Sequence, residues 1–194
     1  VQKKHAGLGL EEPGNIIGAK MPQGSGGIWI SDDDSVIFSE EIYKEFVVPY
    51  NEKVLLAFGG GGIHYCGNST QNKKNYSGTQ GLTCLHNFHM DDFCAVKQTR
   101  DEMLENGIPF YICDFAPSDK RLPGYYDDLF SKLDQKGLVV VSYIAPTIAL
   151  SNGKYEAYER DQLALGKRVK QIIEEKQKKH FYKNLFLNNL FGYQ

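Results

Sequence analysis

The sequence predicts an α/β fold: a parallel sheet of about five strands with helices packed outside it. Three observations carry this. Short apolar runs alternate with helix-patterned segments through most of the chain, and repeated strand–helix–strand units form parallel sheets. The composition is that of a globular domain, with 41% hydrophobic and 24% charged residues in 194. Polar and metal-capable side chains collect where the proposed strands end.

The elements follow in order. Residues 1–27 are rich in glycine and poor in periodicity, and read as an irregular lead-in. GIWIS at 27–31 is a strand that stops at Asp32, Asp33 and Asp34. Ser39 caps a helix whose first turn carries Glu40 and Glu41, where negative charge suits the helix dipole. Ile42, Tyr43, Phe46 and Val47 form its apolar face. Pro49 interrupts it and NEKVLLAF resumes it. Gly59 to Gly62 form a flexible break before the strand IHYC. A polar loop (NSTQNKKNYSGTQG) leads to the strand LTCLHNF. Asp91 or Asp92 starts a helix bearing Phe93, Val96, Met103 and Leu104, stopped at Gly107. After the strand IPFYICDF, a helix over about 125–136 buries Tyr126, Leu129, Phe130 and Leu133, and Gly137 ends it. The strand LVVVSYIA comes next, then Pro146. A long last helix shows Tyr155, Tyr158, Leu165, Val169, Ile172 and Ile173 on one side, and the basic, aromatic tail reads as a final docking helix or as a partner-facing segment.

Composition excludes several functions. No apolar run reaches the ~18 residues of a membrane span. A net charge of -2 gives no electrostatic reason to expect nucleic acid. Cys66, Cys84, Cys94 and Cys113 contain no C-x-x-C pair and no secreted-scaffold spacing, so free thiols in the cytoplasm are expected. The chain opens at Val1 without a signal-peptide pattern, as a piece of a longer product would.

Five such strands fit an open doubly wound sheet or part of a (β/α)8 barrel. A dinucleotide fold needs its glycine motif between the first strand and helix, and here the glycine run precedes a strand. In a barrel the active site lies at the C-terminal strand ends. Those ends carry Asp32 to Asp34, His64 with Cys66, Cys84 with His86, Cys113 with Asp114, and Ser142 with Tyr143.

His64 and Cys66 are the sharpest pair. Residues i and i+2 on a strand share a face, with Cα atoms roughly 7 Å apart. Nitrogen and sulfur suit zinc, and a catalytic zinc takes three protein ligands and keeps one position open. Cys84 and His86 repeat the i, i+2 spacing on the next strand and Cys113 follows on the one after, so Cys84, His86 and Cys113 are candidate third ligands. Buried free cysteine is the plain alternative for each of the two thiols. One of Asp32, Asp33 and Asp34 is expected to orient a ligand histidine or to serve as general acid or base. His5 and His89 are given no role.

ISDDDSVIFSEEIYKEFVVPY, GGIHYCGN and VVVSYIAP with the final helix carry a family likeness over roughly residues 28–175. In these pieces the chain resembles the C-terminal part of the uroporphyrinogen decarboxylase superfamily, and HYCGN is most similar to its methylcobamide:thiol methyltransferase branch. The resemblance implies a TIM barrel of the (β/α)8 type, of which about five strands are present in residues 28–194. It implies His64 and Cys66 as zinc ligands and a corrinoid as methyl donor, with a thiol as acceptor and a corrinoid protein as partner. The family places a third ligand cysteine, or a decarboxylase histidine, near Ser142–Tyr143, where this chain has neither.

Three readings follow. The first is zinc-dependent methyl transfer from a corrinoid to a thiol. The second is a uroporphyrinogen-type decarboxylase of tetrapyrrole metabolism, in which a strand-end aspartate stabilises a protonated pyrrole. The third is non-catalytic binding of a corrinoid or small acid. A complete barrel needs about 250 residues. The 194 here are therefore expected to be completed by a second copy, as a homo-oligomer, or by the rest of a longer chain.

Overall fold

A computed structural model describes residues 15–16, 19–20, 27–88, 92–115, 122–143, 147–149, 155–157, 166–176 and 178. Five strands form one sheet: β1 (Ile28–Ser31), β2 (Gly61–Cys66), β3 (Leu82–Phe88), β4 (Phe110–Phe115) and β5 (Leu138–Tyr143). Their spatial order is their chain order, and the β1–β2, β2–β3 and β3–β4 pairings are parallel. The α/β reading holds in this form. A doubly wound sheet reverses its strand order at a switch point, and among the described residues this sheet shows no reversal.

Helices occupy the connections. Ser39 caps α1 (Glu40–Phe46), accepting from the Ile42 N–H at 3.3 Å. The helix breaks at Val47 and restarts as α2 (Val48–Ala57), with Pro49 in the first turn where its missing N–H costs nothing. Asp92 caps α4 (Phe93–Glu105), taking the Cys94 and Ala95 N–H groups. α5 spans Leu122–Lys132, a few residues earlier than its apolar spacing predicts.

Four expectations change. Gly59 and Gly60 alone make the turn after α2, with φ of 78° and 101°. Gly61 and Gly62 belong to β2, and a Cβ on Gly62 would sit 2.1 Å from the Trp29 ring. The polar loop after β2 contains a 3-10 turn (Thr70–Asn72) and α3 (Lys73–Gly78). Buried amides fix it: Asn72 donates to the Ser35 carbonyl at 2.9 Å and Asn75 to the Glu40 carbonyl at 2.8 Å. The apolar face assigned to α1 is mostly outside, since Tyr43 is buried while Ile42 and Phe46 are 47% and 60% exposed. The long last helix does not begin at Tyr155, because Tyr155–Ala157 is a strand pairing antiparallel with Thr147–Ala149. Helix is present over 166–176, and residues 158–165 and the tail lie outside the described residues. Within the lead-in, Asn15–Ile16 pairs antiparallel with Ala19–Lys20.

The chain divides into two compact units. One holds residues up to Asp114 with Lys136–Val141, and the other holds Phe115–Gln135 with Ser142–Gln194. In the second unit Tyr126, Leu129, Leu133 and Val169 are buried, and Lys176 pairs with Asp127. In the first, helices cover one sheet face. Tyr65 of β2 stacks on Tyr76 of α3 with ring centroids 5.2 Å apart, and Leu55 of α2 lies against Gly61. By strand alternation Ile63, Leu85, Phe110 and Ile112 share this face. The opposite face carries Trp29, His64, Cys66, Cys84, His86 and Tyr111. Among the described residues no helix is long and apolar enough to cross a membrane.

Candidate metal centre

β2 delivers His64 and Cys66 to one face, as i, i+2 geometry requires. The Cys66 Sγ lies 3.4 Å from the His64 Nε2. The third group comes from the turn after β1. There the chain passes from Ser31 into a 3-10 turn at Asp33–Val36, pinned by the Asp32 N–H donating to the His64 carbonyl at 2.7 Å. This brings Asp33 Oδ1 to 3.6 Å from the His64 Nε2. The same oxygen accepts the Cys66 N–H at 2.7 Å, and Oδ2 accepts the Ser31 hydroxyl at 3.0 Å.

One ligand atom each from Asp33, His64 and Cys66 lies within 4.8 Å of the others. Two ligands of one tetrahedral zinc, at bond lengths of 2.0–2.3 Å, stand about 3.5 Å apart. The 3.4 and 3.6 Å separations from the His64 Nε2 fit that requirement. Imidazole, thiol and carboxylate are also the donor types that zinc takes. The set could supply three ligands to one ion, which would leave a fourth position for a bound molecule.

The three acids after β1 have different fates. Asp32 Oδ2 accepts the Tyr43 hydroxyl at 2.5 Å and the Asn51 amide at 2.9 Å, which ties the turn to α1 and α2. Asp33 faces the histidine and the cysteine. Asp34 is exposed. Cys84 pairs in register with Gly62, below His86, and packs with Trp29 and Tyr111. Cys113 is buried on β4. Neither enters the cluster with His64 and Cys66. No disulfide joins the four cysteines.

Ionisation follows from these contacts. Burial pushes the Cys66 thiol up to about 11, and the Asp33 carboxylate adds to this, so without a cation the sulfur keeps its proton. Partial burial opposes ionisation of Asp33, but the Cys66 N–H and the Ser31 hydroxyl outweigh it and hold its carboxyl below the usual value. Burial lowers His64, partly offset by Asp33, so its ring is neutral and able to bind a cation.

His86, expected as a possible third ligand, lies outside the cluster and stands behind His64 instead. The Nδ1 of His64 lies 2.8 Å from the Nδ1 of His86 on β3. A bulge makes this contact. Gly61 pairs with Leu82, but Gly62 pairs with Cys84, so Thr83 is the extra residue. Without the bulge His86 would point to the helix-covered face. The H-x-C and C-x-H spacings hint at a shared face, but nothing in the sequence announces the bulge. No family model, curated protein or solved structure matches the chain, so its function has to be argued from this donor set and its geometry.

Proposed function

We propose that the chain is the C-terminal part of a (β/α)8 enzyme of the uroporphyrinogen decarboxylase superfamily, and that it transfers a methyl group from a corrinoid to a thiol at a zinc site. The observation that supports this is the convergence of Asp33, His64 and Cys66 at the C-terminal edge of a sequential parallel sheet. Asp33 supplies the third ligand that the family likeness leaves missing near Ser142–Tyr143. A bound zinc lowers the pKa of a substrate thiol, so that it reacts as a thiolate at neutral pH.

The residues of the chain do the rest. Asp33 stays ionised and brings negative charge to the site. His64 brings a neutral nitrogen. Cys66 titrates too high to act as a free nucleophile at neutral pH, which favours a ligand role over covalent catalysis by this cysteine. Ser31 and the Cys66 N–H hold the Asp33 carboxylate in place.

Metal analysis of the purified full chain tests this. About one zinc per chain is expected, lost in Cys66→Ser, together with methyl transfer from methylcobalamin to a small thiol once the barrel is complete. A wild-type chain that takes up no zinc at micromolar metal would sink the proposal.

A further inference from the structure

We propose that His86 is the positioning residue of this site: its Nδ1 accepts the Nδ1–H of His64 in the one tautomer whose Nε2 can bind an ion. The inference rests on reading Asp33, His64 and Cys66 as metal ligands. An imidazole binds a metal through Nε2 only when that nitrogen carries no proton, and the neutral ring then carries its proton on Nδ1. In His64 that Nδ1–H is buried, and the His86 Nδ1 stands 2.8 Å away to accept it. Without an acceptor there, metal binding would leave a buried donor unpaired. Metal-bound histidines ordinarily make this second bond to a carboxylate, a backbone carbonyl or water. Here the β3 bulge supplies a second imidazole instead.

The arrangement prescribes the protons on His86 as well. Accepting at Nδ1, the neutral ring of His86 carries its own proton on Nε2. In the absence of metal the His86 Nδ1–H can donate to the His64 Nδ1 instead, with the His64 Nε2–H turned toward the Asp33 carboxylate 3.6 Å away, beyond hydrogen-bond length. Metal loading therefore selects one of two orientations of the same hydrogen bond. The His86 Nε2 is buried with no hydrogen-bond partner among the described residues, and the ring lies edge-on to Trp29 at 6.0 Å between centroids. Trp29 is the single tryptophan of the chain, so its fluorescence reports on this pair without labelling.

The test compares zinc and cobalt(II) titrations of the full chain in the wild type, His86→Asn and His86→Leu. The Asn side chain keeps an acceptor oxygen close to the place of Nδ1, and the Leu side chain keeps bulk alone. His86→Leu is expected to bind about 10–100-fold more weakly, with an altered cobalt absorption band, and His86→Asn to recover most of the loss. Trp29 emission should change on metal addition in the wild type. Equal affinities and identical cobalt bands in all three proteins would overturn the positioning role and leave the metal site standing. A wild type that binds neither ion would remove the metal reading itself. Where the variants fail to fold, nitrogen-15 spectra of the zinc-loaded wild type decide the matter. Protons on His64 Nδ1 and His86 Nε2 are expected, and a proton on His86 Nδ1 would overturn the proposal.

Discussion

The two faces of the sheet are built from alternate residues of the same strands, yet they differ in kind. Toward the helices point Ile63, Tyr65, Leu85, Phe110 and Ile112, apolar or aromatic and closely packed. On the other side, Trp29, His64, Cys84, His86 and Tyr111 are buried too, but most of them carry a titratable or donor group. The Trp29 Nε1 and the His86 Nε2 are buried there with no hydrogen-bond partner among the described residues. Buried polar atoms are nearly always satisfied in folded proteins. The helix side has such an unpartnered atom too, the Asn87 Oδ1, but only the other face gathers imidazole, thiol and indole groups.

The sharpest way to separate the faces is to remove volume from the helix side. Leu85→Ala should cost about 2–5 kcal/mol in urea unfolding, because the residue is wholly buried. Zinc uptake by the protein that remains folded should be unchanged. A loss of metal affinity in this variant would mean that the faces are not independent.

Overpacking tests the other side. Gly62→Ala places a methyl group against the Trp29 ring. It should cost about 1–3 kcal/mol and shift Trp29 emission.

Acid should act through the His64 face, and alkali through both, since burial also raises Cys66, Cys84 and Tyr111 on the His64 side. Burial, and then the neighbouring His64, lowers His86 to about 3. An unfolded histidine takes up a proton near 6.5, which the folded chain refuses. The stability from His86 is therefore complete above about pH 6.5 and is lost as pH falls toward 3. Tyr43, Tyr65 and Tyr76 lie on the helix side and are raised, mainly by burial. Unfolded tyrosines ionise near 10, so this contribution is complete below about pH 10 and is lost above it. Chemical denaturation across pH should show both limbs, the acid limb flattened in His86→Asn and the alkaline limb in Tyr43→Phe.

The smallest effect should come from Asp33→Asn. This exposed side chain should change stability by less than about 0.5 kcal/mol while weakening zinc binding. The adjacent Asp32→Asn should do the reverse, since its carboxylate holds Tyr43 and Asn51. Isothermal titration with zinc beside urea unfolding separates the two.

The legible and illegible parts of this molecule divide by range. The five strands could be read because each is a dense apolar run punctuated by glycine or acid, and Ser39 and Asp92 are local caps. α3 could not, because no apolar stripe drives it. It forms where Asn72 and Asn75 reach carbonyls more than thirty residues away. The face of α1 was misjudged for a related reason. Periodicity finds apolar residues at helical spacing but does not say what lies opposite them. At the site, i, i+2 spacing was enough for His64 and Cys66. Choosing among three consecutive acids required the 3-10 turn, and placing His86 behind His64 rather than among the ligands required the bulge.

The strand order has a consequence for how such a chain could grow. Every strand of the five-stranded sheet lies beside its predecessor, so each strand and its connection form a module that docks only onto the last one laid down. Assembly can then proceed along the chain in order, each new strand closing one crossover connection onto its predecessor. An array of this kind can be lengthened by duplicating a unit at either end without disturbing the registers already formed. The site draws on three successive modules, with Asp33 after β1, His64 and Cys66 on β2 and His86 on β3, so it would survive such additions as a self-contained cassette.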